Sequence, residues 1–78
     1  MPKIFENDGF RFFFYSNDHE PIHVHVWHGG GEAVFKVSAD EVELRESLNM
    51  KVGDLSRARQ MVIENRKLIQ EKWYEFFK

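Results

Sequence analysis

The sequence contains no cysteine. That absence excludes disulfide cross-links and thiolate zinc sites, and it fits a reducing compartment. Apolar runs are short as well. None approaches the roughly 20 residues of a membrane-spanning helix, and Met1-Pro2-Lys3 leads into a strand-like pattern with no signal-peptide hydrophobic region. The expectation is a cytoplasmic protein with no membrane partner. Charge of one sign is also scarce: 11 basic residues stand against 13 acidic ones, a net charge of -2, which disfavours broad electrostatic attraction to nucleic acid. Only two prolines and five glycines punctuate the chain, three of the glycines in one run.

Aromatic bulk is what the chain does have, with eight phenylalanines, two tyrosines and two tryptophans. A 78-residue chain is one domain at most, read here as residues 1–78, and it buries only about 60% of the surface its unfolded form exposes. Large rings fill such a small core with few residues. They also leave room for a face that needs a partner.

The stretch Pro21 to Gly31 organises the rest. Ile22, Val24 and Val26 alternate with His23, His25 and Trp27, which predicts a central strand with the aliphatic residues on one face and the imidazoles on the other. Before it, Lys3–Glu6 predicts a short edge strand. Asn7-Asp8-Gly9 supplies a turn, and Phe10, Phe12 and Phe14 alternate with Arg11, Phe13 and Tyr15. Directly opposed residues of an antiparallel pair share a face. Matching apolar to apolar sets Phe14 opposite Val24 and Phe12 opposite Val26, and therefore Tyr15 opposite His23, Phe13 opposite His25 and Arg11 opposite Trp27. On the other side, Val24 faces Phe35 and Val26 faces Ala33, which demands an even-numbered loop at the glycines. His23 then faces Lys36, His25 faces Val34, and Trp27 faces Glu32.

Val42 and Leu44 alternate with Glu41, Glu43 and Arg45 as in an edge strand, and residues 49–53 read as a loop. Asp54 or Ser56 is the expected cap of a helix over about 54–77. Its apolar stripe is Leu55, Ala58, Val62, Ile69, Trp73 and Phe76, flanked by Met61, Leu68 and Phe77. The predicted fold is α+β: a small, mostly antiparallel sheet of four to five strands over about 3–47, with one long C-terminal helix across one face.

One helix covers one face only. The other carries Arg11, Phe13, Tyr15, His23, His25, Trp27, Val34 and Lys36, too aromatic for an ordinary solvated surface. A protein partner or a second copy of the chain is the plainest occupant, with Phe13, Tyr15, Trp27 and Val34 buried against it and the histidines at its rim. His23 and His25, two apart on a strand, also suit zinc or another divalent metal, with His19 or Glu20 as third ligand. Exposed rings beside Arg11 and Lys36 are the materials of an RNA stacking platform. Two imidazoles can also act as acid and base on an RNA 2′-hydroxyl. Gly29-Gly30-Gly31 precedes a strand and reads as a turn, not a phosphate loop.

These residues carry a family resemblance. Met1-Pro2-Lys3-Ile4, Gly9-Phe10-Arg11-Phe12, the run Asn17 to His25 with its proline-x-histidine-x-histidine centre, Gly30-Gly31-Glu32-Ala33 and Glu71-Lys72-Trp73 together resemble the small bacterial and archaeal family named domain of unknown function 4160. That family has no established activity. Its members are often encoded beside another small domain of unknown function, so the resemblance implies a protein partner and a two-component module of the toxin and antitoxin kind. This chain departs from common members in a longer acidic segment about Glu41 to Glu46. Sequence reasoning therefore gives an interaction module working through the His23/His25 face, with an RNA-directed or metal-assisted enzyme as the alternative.

Overall fold

The computed structural model describes residues 3–77. Met1, Pro2 and Lys78, including the opening of the family motif, lie outside the described residues. Five strands form one sheet in chain order: β1 (Lys3–Asn7), β2 (Phe10–Phe13), β3 (His23–His28), β4 (Gly31–Val37) and β5 (Val42–Leu48). Every neighbouring pair is antiparallel. Among the described residues, no helix is long and apolar enough to cross a membrane.

The predicted register is the observed one wherever the ladder runs. Arg11, Phe12 and Phe13 oppose Trp27, Val26 and His25, and His23 to Trp27 oppose Lys36 to Glu32 in the expected order. Gly29 and Gly30, at φ 55° and 81°, make the two-residue loop that this register requires. Positive φ at both positions is the signature of a type I′ hairpin turn, whose twist matches that of the strands. The pairs expected for Phe14 and Tyr15 do not form, because β2 ends at Phe13. The Tyr15 N–H donates to Asp18 Oδ2 at 2.9 Å instead, which takes that donor out of the ladder.

β5 is a strand, as the alternation predicts, but not a regular one. Phe35 opposes Leu44 and Val34 opposes Glu46, so Arg45 is the extra residue of a β-bulge. Val42 and Leu44 share the core face. Beyond the bulge, Glu46 and Leu48 oppose Val34 and Glu32 on the far face.

Two helices, not one, cover the core face: α1 (Val52–Glu64) and α2 (Arg66–Phe76). The interruption is at Asn65, whose side-chain Nδ2 donates to the Met61 carbonyl at 2.8 Å. A short amide competing for a helical carbonyl is a known source of such breaks. The stripe nevertheless survives, because Ala58, Val62, Ile69 and Trp73, spaced by four, seven and four, are all buried. Neither Asp54 nor Ser56 caps the helix. α1 begins two residues earlier, with Lys51 at the cap position and no side-chain cap bond; Asp54 falls in the first turn, where its charge complements the helix dipole. Phe76, expected in the stripe, is 45% exposed. Phe77 takes its place, with its ring 4.3 Å from Trp73 and 5.6 Å from Phe14.

Phe10, Phe12, Phe14, Val24, Val26 and Phe35 meet this stripe at 1% exposure or less. A clasp closes the far end. His28 stacks on Phe10 with centroids 3.8 Å apart, its Nδ1 lies 3.1 Å from the Gly9 carbonyl, and Arg57 of α1 reaches Asp8 of the β1–β2 turn at 2.6 Å.

Candidate functional site

The turn between β2 and β3 folds back over the sheet face that the helices leave uncovered. Its Asp18 is held from both sides: the Asp18 N–H donates to the Tyr15 carbonyl at 3.1 Å, and the Asp18 carboxylate accepts the Tyr15 N–H. That closure aims the carboxylate at the start of β3. His23 Nε2 lies 3.1 Å from Asp18 Oδ1, and His25 Nε2 lies 3.2 Å from Asp18 Oδ2. The period of two brings the imidazoles together as the sequence requires, with ring centroids 5.4 Å apart. The ligand atoms of Asp18, His23 and His25 all lie within 4.8 Å of one another.

The second nitrogen of each ring decides what the cluster can do. His23 Nδ1–H donates to the Pro21 carbonyl at 2.8 Å, so in the neutral ring Nε2 carries a lone pair. That lone pair faces a carboxylate oxygen at 3.1 Å. Two acceptors at this separation repel unless a cation, either a proton or a metal ion, lies between them. His25 Nδ1 is buried and has no hydrogen-bond partner. The nearest candidate is Glu32 Oε2, 3.6 Å away, which accepts the Tyr15 hydroxyl at 3.3 Å. Burial first, and then the charge and hydrogen bond of Glu32, push the Tyr15 phenol above its ordinary pKa.

The remaining expected site residues are distributed around this cluster. Phe13 is 3% exposed and meets Tyr15, His25 and Trp27 ring to ring. Val34 and His25 are each 7% exposed. The far face therefore buries its own centre, and the surface open to stacking is narrower than a full aromatic platform. Arg11 is exposed and pairs with Glu6 at 3.7 Å; Lys36 is half-buried opposite His23. His19 is exposed and stands outside the cluster, as does Glu20, because the turn that aims Asp18 inward leaves its successors in solvent. Asp18 is the member of the cluster that sequence reasoning missed. Its only sequence signal is an aspartate three residues after Tyr15, within reach of the Tyr15 N–H.

The two imidazoles differ in their surroundings. His25 packs against Phe13 and Tyr15, away from the helices. His23, the first residue of β3, touches Trp73 of α2 as well, with centroids 5.4 Å apart, so it is not wholly separated from the helical layer. Both rings line a cleft of about 270 Å³ with Val34, Arg45 and Glu46. A larger hollow of about 510 Å³ lies around Arg11, Trp27, the glycine turn and Leu48. The smaller cleft is the chemically equipped one.

Comparison with known proteins gives one family. The model of the Domain of unknown function (DUF4160) matches residues 9–74, a span that takes in the Asp18 turn, the paired histidines and both helices through Trp73. No curated protein and no solved structure matches the chain.

Proposed function

The chain belongs to the DUF4160 family, and for this member we propose a small binding module that holds a divalent cation between Asp18, His23 and His25. The observation that carries the reading is the lone pair of His23 Nε2 aimed at Asp18 Oδ1 from 3.1 Å while its other nitrogen is committed to Pro21. Donors around a tetrahedral ion at about 2.1 Å stand about 3.4 Å apart. Measured to the single oxygen Asp18 Oδ1, His23 Nε2 stands at 3.1 Å and His25 Nε2 at 3.4 Å, within a few tenths of an ångström of that. Two imidazoles and one carboxylate suit zinc and related first-row ions. Metal-bound histidines commonly donate their outer N–H to a carbonyl or a carboxylate. Pro21 supplies the first, and Glu32, steadied by Tyr15, stands ready as the second. Three protein ligands leave a coordination position open, the arrangement of exchangeable sites that meet a ligand or substrate rather than closed structural ones.

Equilibrium dialysis of chelator-washed protein against zinc tests this reading. One ion per chain is expected, with binding lost in His23→Ala and Asp18→Asn and retained in His19→Ala. Sub-stoichiometric zinc in the intact chain, or equal loss in His19→Ala, overturns it.

A protein partner is the second reading, favoured by the open β5 edge with its neighbours, where Leu44, Leu48 and Val52 are 42%, 67% and 83% exposed. The toxin version of that reading is tested by expressing the chain alone in a bacterial host. Growth arrest relieved by His23→Ala/His25→Ala supports it; unaffected growth removes it.

A further inference from the structure

Resting on the partner reading of the β5 edge, and independent of the cation, we infer that the partner is a second copy of this chain, joined β5 to β5 antiparallel so that the sheet continues across a two-fold axis. β5 is the last strand of the sheet, and Glu43 to Leu48 are exposed throughout. An edge strand holds out a row of unpaired N–H and C=O groups to any strand laid beside it. Among the described residues, the β5 backbone takes one hydrogen bond from outside its ladder, from Arg59 to the Val42 carbonyl at 3.4 Å, which leaves Glu43 to Leu48 untouched. Leu44 and Leu48 are 42% and 67% exposed. Glu43, Arg45 and Glu46 make no ion pair among the described residues.

The bulge then selects the register. Opposed residues share a face, so pairing with β4 assigns Leu44 and Ser47 to the core face and Glu43, Glu46 and Leu48 to the far face. Arg45, the extra residue, borders His23, His25 and Val34 together with Glu46 and counts with the far face. A two-fold axis between Arg45 and Glu46 opposes Leu44 to Ser47, Glu43 to Leu48 and Arg45 to Glu46 of the second copy, each pair on one face. The axis repeats every contact, as isologous interfaces do, so two Arg45–Glu46 pairs flank it. Sliding the partner by one residue sets Arg45 on Arg45 or Glu46 on Glu46. Sliding it by two sets Glu43 on Glu46 in one direction and, in the other, Glu46 on Ser47 across faces. In a regular strand Arg45 and Glu46 would point to opposite faces, and the matched register would not exist. Charges and bulges commonly guard an edge against pairing; here they reject the neighbouring registers and leave one that complements itself, which favours a second copy over an unrelated strand.

The test is sedimentation velocity of the full chain over a concentration series reaching about 1 mM, since one added strand makes an interface at the small, transient end of the range. The parent is expected to pass from monomer to dimer as concentration rises. Arg45→Glu and Glu46→Arg each set like charges against one another twice at the axis, and each is expected to weaken dimerisation about tenfold or more. Both side chains are exposed, and circular dichroism checks that the variants stay folded. Mixing the two variants restores opposite charges at both pairs, as does combining them in one chain, and each is expected to bring the dimer back to near parental strength. Reversals that weaken the dimer without restoration, or an effect of Arg45→Glu alone, overturn the register and the inference with it. A chain that stays monomeric throughout overturns the inference and leaves the edge to a different protein, which the growth assay tests. A dimer indifferent to both reversals overturns the β5 edge as the partner surface as well.

Discussion

Gly31→Ala isolates the joint on which β5, and with it one wall of the cleft, depends. Gly31 is the buried first residue of β4, and a methyl group there would overlap the Asn49 carbonyl oxygen, stand 2.7 Å from the Asn49 carbonyl carbon and 3.0 Å from Met50 Cα. All three are backbone atoms, so no side chain can rotate out of the way. Asn49 already sits at φ 57°, which leaves the connection from β5 to α1 little room to give. Overpacking of this kind costs about 1–3 kcal/mol, and a purely backbone clash belongs at the upper end. A domain of this size has roughly 4–12 kcal/mol of stability in all. A cost of about 3 kcal/mol lowers Tm by about 10–25 °C. Gly30→Ala is the control, because its methyl meets nothing within 4 Å and pays only for a left-handed backbone, about 1–2 kcal/mol. Thermal and urea melts followed by circular dichroism should show Gly31→Ala the worse of the two, with a lower midpoint and an unchanged m-value. If Gly31→Ala melts within a few degrees of the parent, or above Gly30→Ala, the close approach of the 49–50 connection is wrong.

Asp18→Ala should cost about 1–3 kcal/mol, because it strips the part-buried Tyr15 N–H of its acceptor. Asp18→Asn keeps an oxygen for the Tyr15 N–H and should cost less, while both variants lose the zinc-induced rise in Tm. In the parent that rise should reach about 10–20 °C at a hundredfold excess over Kd, and a rise retained by Asp18→Asn would contradict the ligand assignment. Acidification should weaken zinc binding, since protons compete for the same imidazole nitrogens and carboxylate; dialysis across a pH series checks this, and pH-independent affinity would place the ion elsewhere. Lys3 and then Arg11 hold the Glu6 carboxyl below its ordinary value. Its contribution is present above the unfolded pKa and is lost as pH falls through the lowered folded one. Glu6 is exposed and salt-screened, so Glu6→Gln should flatten only the acid limb of the stability curve, and a neutral-pH loss in high salt would show another role.

How much was legible follows from what alternation encodes. Period two fixes faces, and faces fix register, so the β2–β3 and β3–β4 pairings were readable from Phe12, Val24, Val26, Ala33 and Phe35 alone. The bulge at Arg45 was not readable, because Val42, Leu44 and Leu48 suit a regular strand equally well, and only the partner strand reveals the extra residue. The break at Asn65 was hidden for a related reason: the buried stripe resumes in phase at Ile69. The paired histidines were visible as neighbours on one face. Asp18 was not visible as their companion, since its position depends on a turn that returns over the sheet through hydrogen bonds to Tyr15, and local composition distinguishes such a turn poorly from one that points away. The exposure of Phe76 belongs to the last turn of a helix, where the chain end sets which ring meets Trp73.

The proposed cation site is tested most directly by proton–nitrogen correlation spectra of the histidine side chains, recorded as zinc is added to chelator-washed protein. The expected result is that His23 keeps its proton on Nδ1 throughout, held by Pro21, while Nε2 of both His23 and His25 shifts in a single step complete at one ion per chain, with His19 and His28 unmoved. A spectrum in which Nε2 of His23 and His25 stays unchanged past one equivalent, or in which His19 shifts in their place, would contradict it.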